Sequence, residues 1–273
     1  MAKIEKKKVW TALLLIPPLV LLIALTPSLV LTLIVLIITL LGMREFYNLA
    51  LPNSGRSGHV VGIILGLMLS IIFSYGNPEI LLPFIIIILL LVLCTLFMVT
   101  SQDLSTAISN LSITFFGIFY IAFLLSHVIL IRNQVDGKAW LLFLMITVWS
   151  GDIIALFSGT LFGKHKLYPK ISPNKTIEGL LGAVAGSVII ALLYTSFFLP
   201  HFNIGACILV AIGMGILGQL GDFTESMLKR SAQVKDSGSL FPGHGGVLDR
   251  IDSFLFSSPF LYYLLPLLSK ETS

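Results

Sequence analysis

The stretch from Ser226 to Asp252, SMLKRSAQVKDSGSLFPGHGGVLDRID, gathers four basic residues, Lys229, Arg230, Lys235 and Arg250, with three acids, Asp236, Asp249 and Asp252. Just ahead of it lies Asp222. Ser226, Lys229 and Arg230 follow that acid by four, seven and eight residues, so a helix continuing past Asp222 presents all four on one face. The segment SLFPGHGGVLDRID is a shaped loop, because Pro242, Gly243, Gly245 and Gly246 oppose regular helix. Its glycines allow backbone amides to approach phosphate oxygens closely, and His244 is held within it. Asp249 and Asp252, three apart, share a face if a helix begins there, with Arg250 alongside. Carboxylates beside phosphate-binding cations suit a hard divalent metal, above all Mg2+.

A second polar segment, GKHKLYPKISPNKTIEG, adds Lys164, Lys166, Lys170 and Lys175. Ser172 or Thr176 caps the helix that follows, whose positive N-terminus favours an anion. Glu178 falls in its first turn. GTLFGK is one residue short of a phosphate-binding P-loop, and His165 stands where Ser or Thr is required. Asp152 lies inside the apolar run MITVWSGDIIALFSGTLFG, where an ionisable group costs about 2.5–3.5 kcal/mol. Asp222 ends GMGILGQLGDF, whose spaced glycines permit close approach of a helix or ligand. Plainer roles stand beside these: a helix–helix bridge for Asp152, a solvated interfacial acid for Asp222, a surface Glu225–Lys229 pair, and a glycine-rich turn ahead of a capped helix.

The elements that carry these residues are oily. Of 273 residues, 56% are hydrophobic and only 11% charged, too little charge for a soluble surface of this size. About 20 apolar residues cross a membrane as a helix. Nine spans fit, near 9–25, 28–43, 60–75, 80–99, 108–131, 139–162, 177–199, 205–222 and 253–269, and the first is read as a retained span rather than a cleaved signal. With a cytoplasmic N-terminus, all but Arg132, Lys138 and Lys270 of the 17 basic residues fall on the cytoplasmic side, a strong positive-inside bias. Both polar segments then share that face. The net charge of +4 reflects topology and attraction to anionic lipid, not nucleic acid. The two cysteines, Cys94 and Cys207, sit in apolar runs and suggest neither disulfide nor zinc. The expected fold is an all-α polytopic membrane protein with about nine transmembrane helices and a polar cavity facing the cytoplasm.

The stretch Ser226–Asp252 resembles the signature of the phosphatidate cytidylyltransferase family, also called CDP-diglyceride synthases. It has the Ser-x-apolar-Lys-Arg start, Lys-Asp nine residues after Ser226, and the His-Gly-Gly-x-x-Asp-Arg-x-Asp end. SPNKTIEG, Ser172 to Gly179, matches a second family segment, and the surroundings of Trp149 and Asp152 are similar. The resemblance covers roughly residues 145–253; the first 140 or so match only as a hydrophobic bundle. It implies the conversion of CTP and phosphatidic acid to CDP-diacylglycerol and pyrophosphate with Mg2+, and leaves a second cation open. It also implies a membrane homodimer, in bacteria in the inner membrane, with residues 1–140 expected as scaffold and dimer contacts and 141–273 as the catalytic region. By this resemblance Asp222 and Asp249 match the metal-associated carboxylates. Ser226, Lys229, Lys235, Asp236, His244, Arg250 and Asp252 fill the remaining catalytic signature positions. Asp152, Ser172, Lys175, Thr176, Glu178, Arg230, Gly245 and Gly246 are expected on the substrates. Lys229 and Arg250 are expected to weigh on chemistry far more than on the fold. Two other readings remain: a CTP-dependent lipid kinase and an anion or lipid transporter.

Overall fold

The computed structural model of the chain describes residues 18, 20–51, 56–75, 78–100, 104–199, 203–238, 240 and 245–269. Within them run α1 Ser28–Ala50, α2 Arg56–Tyr75, α3 Pro78–Thr100, α4 Leu104–Gly117, α5 Leu124–Arg132, α6 Gly137–Phe162, α7 Ile177–Phe198, α8 Ile204–Ser231 and α9 Leu248–Ser269. A π-helical turn, Ile118–Phe123, joins α4 to α5, so the two read as one rod. Among the described residues, five helical stretches are long and apolar enough to cross a membrane: Ser28–Ala50, Ser105–Arg132, Gly137–Phe162, Ile177–Phe198 and Ile204–Ser231. His59–Tyr75 and Ile85–Met98 are shorter apolar helices. The chain is thus an all-α membrane protein in its main architecture. Most of the first expected span, 9–25, lies outside the described residues.

One departure from all-α is local. The segment between α6 and α7, expected as a loop, folds into a two-stranded antiparallel ribbon, β1 Lys166–Tyr168 and β2 Ser172–Thr176. Pro169 cannot donate to a ladder, and the chain turns there, with Ile171 N donating to Tyr168 O at 3.2 Å.

Packing is tightest among α6, α7, α8 and α9. Small residues permit it. A Cβ at Gly182 or Gly186 of α7 would run into Ser158 or Ile154 of α6. At Gly221 of α8 it would strike the backbone of Asp252 in α9. Such close approach is how helices associate where lipid removes the hydrophobic drive between them. The N-terminal half packs around buried aromatics, Phe46, Tyr47 and Phe73 among them, and Tyr47 Oη donates to Thr114 O at 2.9 Å. Large apolar side chains such as Leu25, Leu181, Leu193 and Phe197 are exposed, as a lipid-facing surface requires.

Charge sorts to the helix ends. Arg132 donates to Thr26 O (3.0 Å) and Lys138 to Ala24 O (2.7 Å), in the stretch just ahead of α1. At the far end of α1, Glu45 meets the loop before α9. The ribbon joins that end too, since Arg230 Nε donates to Ile171 O at 3.3 Å.

Candidate active site

Helix α8 runs unbroken to Ser231, so Asp222, Ser226 and Lys229 do stand on one face as their spacing requires. Ser226 Oγ donates to Asp222 Oδ1 at 3.3 Å. The other oxygen of Asp222 pairs with Lys175 Nζ, from β2, at 2.7 Å. That ammonium also lies 4.2 Å from the centroid of the Phe223 ring, a cation–π contact. Thr176, the next residue, caps α7: its Oγ1 accepts from Gly179 N at 3.1 Å. The cap fixes where β2 ends and so where Lys175 points.

Lys229 is wedged between two acids. Its Nζ pairs with Asp249 Oδ1 at 2.6 Å and with Glu225 one turn back. The side chains are 12% exposed for Lys229, 12% for Asp249 and 1% for Glu225. The Glu225–Lys229 pair is therefore interior, not the surface pair its i,i+4 spacing suggests. Burial arises because α9 packs flat on α8 at Gly221. Lys229 is thus not the surface cation that its expected small weight on the fold assumed, and breaking a buried pair leaves an uncompensated charge.

Asp249 is the knot of the signature loop. Its Oδ2 accepts from Gly246 N (2.8 Å), Ser237 N (2.9 Å) and Ser237 Oγ (2.8 Å). Burial opposes ionisation of this carboxyl, but Lys229 and the loop amides more than offset it and hold it well below the usual carboxylate range. The residue stands at the very start of α9, ahead of the apolar stretch of that helix. Gly245 has φ +80°, and a Cβ there would meet Asp249. A left-handed conformation and a carboxylate against its face both call for glycine. The amide of Gly246, expected on phosphate, is donated to Asp249 here.

Asp222, Glu225 and Asp252 come together, with one carboxylate oxygen from each lying within 4.8 Å of the other two. Three carboxylates this close repel unless cations or protons intervene. Their oxygens are hard donors of the kind Mg2+ takes, and the near-complete burial of Glu225 leaves water little access to stabilise its charge. Deeper in the bundle, Gln219 Nε2 donates to Asp152 Oδ1 at 2.8 Å. Asp152 thus makes a bridge between α6 and α8.

Other expected residues lie at the margin. Arg230 is exposed and ties the ribbon to the following loop through Ile171 O and Val234 O. Glu178 accepts from His165 N (3.2 Å) and pairs with His165 Nδ1 (2.7 Å), anchoring the ribbon to α7. Ser172 is half-buried in β2, while Lys235, Asp236 and Arg250 are exposed. His244 lies outside the described residues. Sequence reasoning passed over Glu45, which reaches the loop from α1, and gave Glu225 no part in the site. A lone acid near the end of an apolar run, in GMREFYNLA, was the available signal for Glu45.

Known proteins match this chain in sequence. The Cytidylyltransferase family matches residues 6–268. Phosphatidate cytidylyltransferase of Staphylococcus aureus (strain COL) is 35% identical over 247 residues, 87% of this chain and 90% of the relative. The protein of the same name from Bacillus subtilis (strain 168) is 44% identical over 158 residues, 55% of this chain and 56% of the relative. That from Staphylococcus epidermidis (strain ATCC 12228) is 48% identical over 134 residues, 49% of this chain and 52% of the relative. In these last two matches the chain spans about half the length of the curated relatives. With the family match running almost from end to end, the chain belongs to the Cytidylyltransferase family.

Proposed function

We propose that this protein transfers the cytidylyl group of CTP to phosphatidic acid, forming CDP-diacylglycerol and pyrophosphate in the membrane. The observation that carries this reading is the near full-length likeness to the Staphylococcus aureus relative named for that activity. The cluster at the end of α8 fits the chemistry. A phosphate oxygen of phosphatidic acid attacks the α-phosphorus of CTP, and the bond to the β-phosphate oxygen breaks. Both partners are anions, so the protein's task is to bring them together and to meet charge as it moves.

Asp222, Glu225 and Asp252, with Asp249 one lysine away, would hold Mg2+. The ion supplies neutralising charge for the triphosphate when bound. Asp222 and Asp249 are the ligands that the signature resemblance implies, and a second cation is compatible with so many carboxylates. Lys175 and Lys229, each held by an acid of this group, supply positive charge from two different elements. Ser226 steadies Asp222, and the loop amides steady Asp249. Lys235, Asp236 and Arg250 belong to the outer, solvent side of the same signature, and His244 is a further position of that signature. The finer architecture goes with this function: nine spans, a cytoplasmic N-terminus, a polar cavity open to the cytoplasm and a homodimer in a bacterial inner membrane.

The test is product analysis in mixed micelles. CTP labelled at the α-phosphate should pass its label to lipid in the presence of phosphatidic acid and Mg2+, with stoichiometric pyrophosphate. Asp222→Asn should abolish most of this transfer while the protein remains folded. Label entering lipid only from the γ-phosphate would identify a lipid kinase. No transfer at all from the pure, folded protein would favour a carrier.

A further inference from the structure

We propose that Glu45 is a positioning residue for the cytidylyl transfer put forward above, acting from the N-terminal half of the chain on the signature loop and, through it, on Lys229; the inference rests on that reading of the reaction.

Glu45 stands near the end of α1. Its Oε1 accepts from Val247 N and its Oε2 from Leu248 N, both at 2.9 Å. Leu248 N is the first amide of α9 and Val247 N the one just ahead of it, and such amides have no partner inside the helix. The carboxylate thus caps a helix about two hundred residues away, with its charge against the positive end of the helix dipole. Ser237 Oγ lies 3.1 Å from Glu45 Oε2 and 2.8 Å from Asp249 Oδ2. One hydroxyl proton therefore stands between two carboxylates and can serve only one at a time. Asp249 in turn holds Lys229 at 2.6 Å.

The loop is shaped around these two acids. A Cβ at Gly238 or at Gly246 would collide with the Glu45 carboxylate, and one at Gly245 with Asp249. Every hydrogen bond described for the Glu45 side chain goes to residues 237–248. A residue needed only to hold α1 in the bundle has no cause to aim its charge there. Glu45 sets where α9 begins, the start of α9 sets Asp249, and Asp249 sets the ammonium of Lys229.

The experiment compares wild type, Glu45→Gln, Ser237→Ala, the double variant and Tyr47→Phe in mixed micelles. Tyr47→Phe removes a buried hydrogen bond on the same helix and serves as the control for lost stability alone. Disturbing a group that orients an active-site side chain typically costs about 10- to 100-fold. Glu45→Gln should lower kcat by that factor per folded molecule, with KM for CTP within about threefold of wild type. Amide exchange at Val247 and Leu248 should quicken about tenfold or more. Ser237→Ala should cost less, and the double variant should fall short of the product of the two single losses, since both act through Asp249. Tyr47→Phe should lower the melting temperature and leave kcat per folded molecule unchanged. A Glu45→Gln enzyme that loses stability but keeps wild-type kcat overturns the inference, as do strictly multiplicative losses. If Glu45→Gln cannot be extracted folded, Ser237→Ala decides: wild-type kcat there rejects the relay. A wild-type protein that forms no CDP-lipid refutes the reaction itself, and exchange at Val247 and Leu248 still reports separately whether Glu45 holds the loop.

Discussion

Removing the Lys229 ammonium should damage the fold as well as the chemistry. Lys229→Met keeps the length and the apolar stem but deletes the charge between Glu225, 1% exposed, and Asp249, 12% exposed. Two carboxylates then face each other without a counterion. Breaking a buried pair by removing one partner costs about 3–5 kcal/mol, far above the 0–1 kcal/mol or so of a surface ion pair. In a chain of this size each kcal/mol moves the melting temperature by about 2–4 °C, so a fall of about 6–20 °C is expected. Thermal unfolding of the detergent-solubilised variant, followed by tryptophan fluorescence, measures it. The double change Lys229→Met with Glu225→Gln restores the charge balance and should recover much of the stability. It should recover none of the CTP-dependent lipid labelling if Lys229 meets the phosphates as proposed, because that cation is still missing. A melting temperature for Lys229→Met within about 2 °C of wild type would refute the interior ion pair. Full recovery of turnover in the double variant would remove Lys229 from the chemistry.

Gly245→Ala should abolish most transfer while the bundle stays folded, because it meets both the positive φ and the Asp249 carboxylate; near-normal kcat would mean that the loop can be rebuilt without that turn. Thr176→Val loses the cap on α7 and should cost about 1 kcal/mol, seen as a small drop in melting temperature, with a rise in KM for CTP as Lys175 loosens from Asp222. An unchanged KM would separate Lys175 from nucleotide binding.

Much of the site was legible because it is local. The spacing of Asp222, Ser226 and Lys229 needed only a continuing helix, and α8 continues to Ser231. Thr176 announced its cap by preceding Glu178 and an apolar run, and Asp249 and Asp252 announced a new first turn. The remainder depends on contacts that spacing does not encode. Glu225 and Lys229 look like a solvated pair at i,i+4; only the packing of α9 on Gly221 makes them interior. Arg230, one residue beyond Lys229, turns outward to Ile171 and Val234, since a step of about 100° along a helix changes the face. The glycines before α9 looked like phosphate cradles, whereas Gly246 gives its amide to Asp249 and, together with Gly238, makes room for Glu45. The short ribbon at 166–176 was missed because four lysines read as a charged loop, and its pairing involves few residues. In the fold, the apolar runs gave the helices their places, while the π-helical turn at Ile118–Phe123 leaves no mark in composition.

The contact between Glu45 and the amides of Val247 and Leu248 also has a place in time. The partners are separated by 202 and 203 residues. At a synthesis rate of about 5–20 residues per second, the carboxylate emerges from the ribosome roughly 10–40 s before the amides it will hold. During that interval its helix is already entering the bilayer, and an unpaired charge must stay at the watery edge. Arg44, its exposed neighbour, belongs to the same edge and helps to keep the helix from sliding inward. Helix α9 is made long after α1, so a chain interrupted before residue 247 holds the Glu45 carboxylate without the amides that would receive it.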